Sequence, residues 1–436
     1  MICAPCRHVW SRAGAARARA LIFACVLVLG VPAQAGELRV GMGTAALPTP
    51  VGGVLAGYVT VRDRRADALW DRPEARAIVM EQGGLRVALV VLDVLIAQAS
   101  LREPLAREAR LLGIDLLALI ATHTHSGPGG YIPGWVPERL SMGSFRPEAP
   151  GELRQAALRA LTQAVADLAP AQVSSGSARA ELAGNRRRAD GARETSLPLL
   201  RFDFDDRRVP AVLFAYGAHP TVLSPGSHAY SADYPGRARG WLEERGWRSI
   251  FLPGPLGDQQ PVSSLGALWP PEVQRQQAQA DEIGAALGAA VLTGLRALSP
   301  PLDAELSAVE HWVEAPLRRA RRFCPLWWLG PLVGRALEAQ LSPRVPITAI
   351  RLGAAELIGL PAEPASEIGE AIRARIGPER DAFVIAHAND WLGYAVSEPE
   401  YAAGGYEACM SFYGPEFGPW LVGAASRTLR LLDSAP

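Results

Sequence analysis

The chain has 436 residues, 49% of them hydrophobic and 20% charged, and 44 basic residues balance 44 acidic ones. That apolar content excludes a disordered chain, and 43 Gly and 36 Pro scattered without a short period exclude a collagen or a coiled coil. Zero net charge argues against a general electrostatic grip on nucleic acid, so no nucleic-acid partner is expected.

The chain opens with Arg7, Arg12, Arg17 and Arg19, then the apolar run Leu21–Val31, then Ala33-Gln34-Ala35. A positive n-region, a short apolar core and an A-x-A site make residues 1–35 a secretory signal peptide, cleaved near Ala35. No later apolar stretch reaches the length of a membrane span, so the mature chain is expected to be soluble and exported, periplasmic or secreted. Cys3, Cys6 and Cys25 leave with the leader. Cys324 and Cys409 remain and are expected to be two buried free thiols. Every Lys/Arg position is Arg, which removes Schiff-base and Ser–Lys chemistry.

Residues 36–436 carry no linker-like stretch and no repeat, so one large catalytic domain is expected. Strand-like runs at Arg39–Thr44, Ala75–Glu81, Arg86–Leu95 and Leu116–Thr122 precede or flank a helical pattern at Leu101–Leu112. Further on come a helix at Glu152–Leu168, a strand at Val209–Tyr216, and helices at Tyr234–Arg245 and Pro271–Leu298. Ala349–Gly359, Ala365–Ile376 and Ala382–Ala388 read as strand, helix and strand. The alternation predicts an α/β fold, a buried mixed sheet flanked by helices, with the active site at strand ends.

Polar chemistry follows the buried strands. Leu116–Thr122 runs into His123-Thr124-His125 and the turn Ser126–Tyr131, where Gly127 and Gly129 would let the backbone approach a substrate closely. In an extended H-x-H both side chains share a face, as metal ligands must; a hydrogen-bonded His pair is the alternative. Val209–Tyr216 leads to His219, just before Pro220. Ala355–Gly359 leads to Glu363, which would otherwise be a first-turn carboxylate favoured by the helix dipole. Two His and one carboxylate at three strand ends make a catalytic Zn2+ set with an open position, and no Cys suggests a closed structural site.

The motifs then resemble a known family. Thr122–Tyr131 (THTHSGPGGY), Gly217–Leu223 (GAHPTVL), Ser231–Glu243, Ile358–Gly369 and the run Tyr394, Pro399-Glu400-Tyr401, Tyr406-Glu407, Tyr413-Gly414-Pro415 are similar, in order, to the neutral ceramidases. Those are exported amidases that split ceramide into sphingosine and fatty acid. The resemblance spans about Leu38 to Gly418. It implies that His123, His219, Glu363 and Tyr394 hold zinc, and that His125, Arg186 and Tyr406 face the scissile group. Asp258 and Gln260 fall in a loop, Gly257–Pro261, that resembles a substrate-contacting loop of the family. There the family has a Ser assigned a catalytic role, and this chain has Gln260. A Gln cannot be a nucleophile, so a zinc-activated water is the expected route. The chain ends soon after Pro415, so no C-terminal immunoglobulin-like domain is expected.

Arg318–Val333 places four Arg beside an apolar run with Trp327 and Trp328. It reads either as a peripheral membrane contact or as a core or dimer segment. His228, His311 and His387 read as structural. The expected function is an exported, zinc-dependent amidohydrolase acting on a lipid-like N-acyl substrate such as ceramide. An esterase or amidase on a small non-sphingoid substrate, and a non-catalytic periplasmic lipid binder, are the alternatives.

Overall fold

A computed structural model describes residues 36–59, 62–206, 208–262, 272–298, 304–319 and 341–434, with the backbone alone at Leu140. Residues 1–35, Trp327, Trp328 and Cys324 lie outside the described residues. Gly36–Pro436 form one compact unit.

Two mixed sheets form the frame, and their strands are numbered together. The first contains β1 (Arg39–Ala46), β2 (Glu74–Gln82), β3 (Leu85–Leu92), β4 (Leu116–Ala121), β5 (Ala169–Arg179), β6 (Ser196–Phe204), β7 (Ala211–Tyr216) and β8 (Arg248–Pro253). Its order is β8-β7-β6-β5-β1-β2-β3-β4. The outer pairs β3–β4 and β7–β8 are parallel and the remaining pairs antiparallel. The second sheet contains β9 (Leu306–Glu314), β10 (Arg344–Leu352), β11 (Ala355–Gly359) and β12 (Asp381–Ile385), in that order, with β11–β12 parallel.

Strand β3 shows why the sheets stack. Val87, Leu89 and Val91 enter one apolar cluster, shared with Ile350, Leu357 and Phe383 of the second sheet. Ala88, Val90 and Leu92 enter another, under α1 (Ala99–Leu111) and α2 (Ala149–Ala166). A strand whose residues are apolar on both faces has to be covered on both. Helices α3 (Asp233–Glu243) and α4 (Val273–Arg296) cover the other half of the first sheet. Helices α5 (Ser366–Ile376) and α6 (Phe417–Asp433) cover the outer face of the second. The result is four layers: helices, sheet, sheet, helices. Close approach of α2 needs Gly43 in β1, where an added Cβ would lie 2.1 Å from the Ala160 carbonyl oxygen. Among the described residues no helix is long and apolar enough to cross a membrane.

Several expectations change. Ala349–Gly359 is not one strand: Gly353, at φ +60°, turns the chain between β10 and β11. The strand expected over Arg86–Leu95 ends at Leu92, because Asp93 leaves the ladder and its carboxylate takes the Glu74 amide and a bidentate Arg239. Strands β5, β6 and β9 and helix α6 are additional. Cys409 is disulfide-bonded, its partner lying outside the described residues, so the free-thiol expectation fails at this position. Separation along a chain is no measure of separation in space.

The two sheets are stitched at their ends. Strand β4 is an edge, and residues after β12 cover it: Asn389 N–H donates to the Leu119 carbonyl and Ala121 N–H to the His387 carbonyl. Asn389 Oδ1 also accepts from Leu119 N–H at 3.0 Å and Arg102 Nε at 3.1 Å. Its backbone is left-handed, φ +70°, a conformation Asn tolerates better than most residues. Asn389→Leu leaves buried Leu119 and Arg102 donors unpartnered, and urea unfolding should show a loss of about 3 kcal/mol or more. Asn389→Asp keeps the acceptor and the backbone tolerance, so it should stay close to the native value. Equal stability of both variants would refute this role.

Candidate functional site

The ends of β4, β7, β11 and β12 meet at one place. Parallel neighbours send their carboxyl ends to the same side, where open α/β sheets place their ligand sites. His123 follows β4 and His219 follows β7. Glu363 and Tyr394 sit opposite each other in a short parallel pair, Glu363–Pro364 against Tyr394–Ala395, so backbone register alone brings these side chains together. The H-x-H segment is not extended. His123 has φ +68°, and this kink, not strand alternation, sets His123 Nε2 3.3 Å from His125 Nε2.

Each donor is oriented from behind. His123 Nδ1 meets the Leu95 carbonyl at 2.8 Å, and His219 Nδ1 meets the Gln259 carbonyl at 3.0 Å. A carbonyl only accepts, so both Nδ1 atoms carry the proton and both Nε2 atoms present a lone pair. Glu363 Oε1 accepts from Trp391 Nε1 at 2.6 Å. Glu363 Oε2 lies 3.6 Å from His123 Nε2 and 3.4 Å from His219 Nε2, and has no hydrogen-bond partner. The Tyr394 hydroxyl is 3.1 Å from His219 Nε2. Two neutral imidazoles and a bare carboxylate oxygen, all buried, form a group able to bind a metal, their ligand atoms within 4.8 Å of one another. The orphaned oxygen is the observation that fits a cation, because burying an unpartnered carboxylate is otherwise costly.

Burial holds His123, His125 and His219 below the ordinary imidazole range, the last two well below it, so all three are neutral. Burial would raise the Glu363 carboxyl, but facing His123 and His387 and the nearby Tyr394 hydroxyl and Trp391 indole outweigh it and hold it low. Arg186 spreads its guanidinium over Glu407 Oε1 at 2.7 Å, the Gly257 carbonyl at 3.0 Å and the Tyr394 hydroxyl at 3.2 Å. It lies over the Tyr394 and Tyr406 rings. Arg187 is spent on Glu400, Glu407 and two carbonyls, and Arg188 is exposed. Of the three consecutive arginines, Arg186 is thus the one that reaches the centre.

A cavity opens from this cluster. His123, His125, Glu363, Tyr394 and Tyr406 line one part, and mainly apolar side chains such as Leu95, Ile132, Met142 and Met410 line the rest. Tyr406 is 51% exposed. Gly127, Gly129, Asp258 and Gln260 are not brought to its wall. A Cβ on Gly127 would lie 2.5 Å from the Asp93 carbonyl oxygen, and one on Gly129 2.5 Å from that of Met142, so these glycines serve backbone packing. Asp258 accepts from the Ser366 amide and hydroxyl and from Asn185. Gln260 pairs with Gly184 in a short antiparallel bridge. The loop contributes two carbonyls to the site, that of Gln259 behind His219 and that of Gly257 on Arg186.

Two residues of the centre escaped the sequence reading. His387, expected to be structural, is stacked on His123 at 4.0 Å between ring centroids, with Nε2 3.9 Å from Glu363 Oε1. Trp391 fixes the Glu363 carboxylate. The one signal for either was position just past β12. His228 and His311 bond to the Arg65 carbonyl and the Thr428 hydroxyl, outside the cluster.

Residues 38–250 match the family described as "Neutral/alkaline non-lysosomal ceramidase, N-terminal". The chain is 26% identical to a neutral ceramidase of Pseudomonas aeruginosa, over 91% of this chain and 72% of that protein. It is 23% identical to one of Mycobacterium tuberculosis, over 86% and 73%. The crystal structure of neutral ceramidase from Pseudomonas aeruginosa superposes with a TM-score of 0.78 at 22% identity, covering 92% of this chain and 75% of that one. A ceramidase complexed with C2 gives 0.76 at 20%, covering 92% and 76%. Both share the fold.

If the cluster binds metal, His123→Ala and His219→Ala should each lose the ion that the wild type retains through purification, read by elemental analysis. Trp391→Phe keeps every donor but frees the carboxylate to rotate, and should retain the ion with about 10- to 100-fold weaker affinity. Full occupancy in both His variants would overturn the assignment.

Proposed function

We propose, from its similarity to the neutral/alkaline non-lysosomal ceramidases, that this chain is an exported amidohydrolase of that family that cleaves the amide of a lipid-like, ceramide-type N-acyl substrate. The observation that carries this reading is the bare Glu363 oxygen aimed, with two imidazole lone pairs, at one point beside a largely apolar cavity. Nitrogen and oxygen donors without thiolate suit zinc, with His123, His219, Glu363 and Tyr394 as its holders. When bound, such an ion is a Lewis acid that activates water and polarises a carbonyl.

The chain's own residues supply the rest. His125 lines the cavity as a neutral imidazole, with its Nε2 beside the donor cluster. A neutral ring can accept a proton there and return it to the departing amine nitrogen. Arg186 keeps a fixed positive charge against the Tyr394 oxygen, and Tyr406 offers a hydroxyl at the cavity wall where a developing oxyanion needs donors. The apolar side chains receive the acyl chain and exclude water. A Gln at position 260, away from the wall, is not a nucleophile, so the Gly257–Pro261 loop offers no route to an acyl-enzyme. Export rests on the leader-like pattern of residues 1–35, and contact of Trp327 and Trp328 with a lipid surface belongs to the same reading.

The roles separate by kinetics on an N-acyl amide. His125→Ala should lower kcat/KM by about 10²–10⁴-fold with metal still bound, the usual size of an acid–base contribution. Gln260→Ala should change it only a few-fold. Pre-steady-state assays should show no burst, and mass spectrometry no acyl adduct. If Gln260→Ala abolishes turnover while His125→Ala is nearly silent, the roles are misplaced.

A further inference from the structure

One polar side chain in the cavity is used by nothing described so far. Gln98 lines the same cavity as His123 and Glu363, among Leu95, Ile96, Ile132, Met142 and Met410, and is 9% exposed. It occupies the N-cap of α1 yet makes no side-chain capping bond. The task that an N-cap side chain ordinarily performs falls to Asp390, whose carboxylate accepts from the Ala99 amide. The backbone carbonyl of Gln98 takes the Leu101 and Arg102 amides, while among the described residues its side-chain amide makes no hydrogen bond. A primary amide in a mainly apolar wall is a poor neighbour for a plain alkyl chain, since filling the cavity strips water from it and returns nothing.

From this we infer that Gln98 is a specificity-determining residue, and that the preferred substrate carries a hydroxyl on the chain that fills this cavity. This rests on the amidase reading above. The chemistry matches in both directions. A carboxamide offers N–H donors and a carbonyl acceptor, and a hydroxyl is the small group that donates and accepts at once. A site built to hydrogen-bond a hydroxyl discriminates strongly against the analogue lacking it, because the unpaired group stays on the protein. Ser141, the other aliphatic hydrogen-bonding side chain of the wall, is only half-buried and does not share that constraint.

The test is a series of N-acyl amides identical except for a single hydroxyl walked along the acyl chain. Wild-type enzyme should favour one hydroxylated member over the plain chain by about ten- to a hundred-fold in kcat/KM. Gln98→Leu should bring that ratio close to one. Gln98→Met, which follows the shape of the native side chain more closely, should do the same if the Leu variant fails to fold. A wild type indifferent to the hydroxyl at every position, or a ratio unchanged in a folded variant, would overturn the inference. If the wild type hydrolyses none of these amides, the amidase reading fails instead. The inference then stands or falls on calorimetry with the matched free fatty acids and metal-loaded protein: tighter binding of a hydroxy acid, lost in Gln98→Met, sustains it, and equal binding refutes it.

Discussion

Residues 387–389 close the free edge of β4, and the rest of the centre depends on that contact. Strand β4 delivers His123 from one sheet, while Glu363 and Tyr394 come from the short parallel pair that follows β11 and β12 of the other. Without a fixed join between sheets, donors from both could not hold positions to within tenths of an ångström. The join is made of backbone: Asn389 N–H to Leu119 and Ala121 N–H to His387, with Ala386 N–H to Pro253 and Gly257 N–H to Pro364 nearby. Hydrogen bonds between main chains tolerate little sliding, because a slip of one residue reverses every side chain. The apolar cluster between the sheets supplies adhesion, and these few bonds supply register.

The same contact explains where the backbone is strained. The described residues with positive φ other than glycine are His123, Asp233, His387 and Asn389. Three of them lie at the joined strand ends. A non-glycine residue stays left-handed only when its surroundings over-determine it. Here the over-determination is visible: His123 is held by the Val94 and Leu95 carbonyls, Asn389 by Leu119 and Arg102, and His387 by its stack on His123. The strain turns rings inward that an extended strand would have pointed along the sheet.

Much of this was legible, and what was not has a common cause. The runs of β3, β4 and β7 are apolar on successive residues, so their double burial could be read without knowing their neighbours. His123, His219 and Glu363 were legible because each follows a buried strand. Tyr394 entered through family resemblance alone, since nothing local marks a Tyr as a donor. His387 and Trp391 contribute only through tertiary placement, which local pattern does not encode. Strands β5 and β9 are partly exposed and polar in places, so no clean alternation marks them. The Gly257–Pro261 loop reaches the cluster through backbone that residue types do not mark: the Gln259 carbonyl orients the His219 ring and the Gly257 carbonyl takes Arg186, while the Asp258 carboxylate is bonded to Ser366 and Asn185.

Charge settles what the centre can contain. Four imidazoles, His123, His125, His219 and His387, are packed together, and burial drives each below its ordinary range. Protonating any one would put a cation against neighbours that cannot move away. The rings beside Glu363 hold its carboxyl low but give its Oε2 no hydrogen bond. Arg186 attracts it from nearby but spends its hydrogen bonds on Glu407, Gly257 and the Tyr394 oxygen. One negative charge is left facing a point that two lone pairs also face, and a small cation is the species that satisfies all three at once. The neutrality that selects that cation also leaves His125 unprotonated at the cavity wall, which is the state a general base requires. A geometry able to hold a metal and a neutral His125 thus share one cause, the burial of an imidazole cluster beside a carboxylate oxygen without a hydrogen-bond partner.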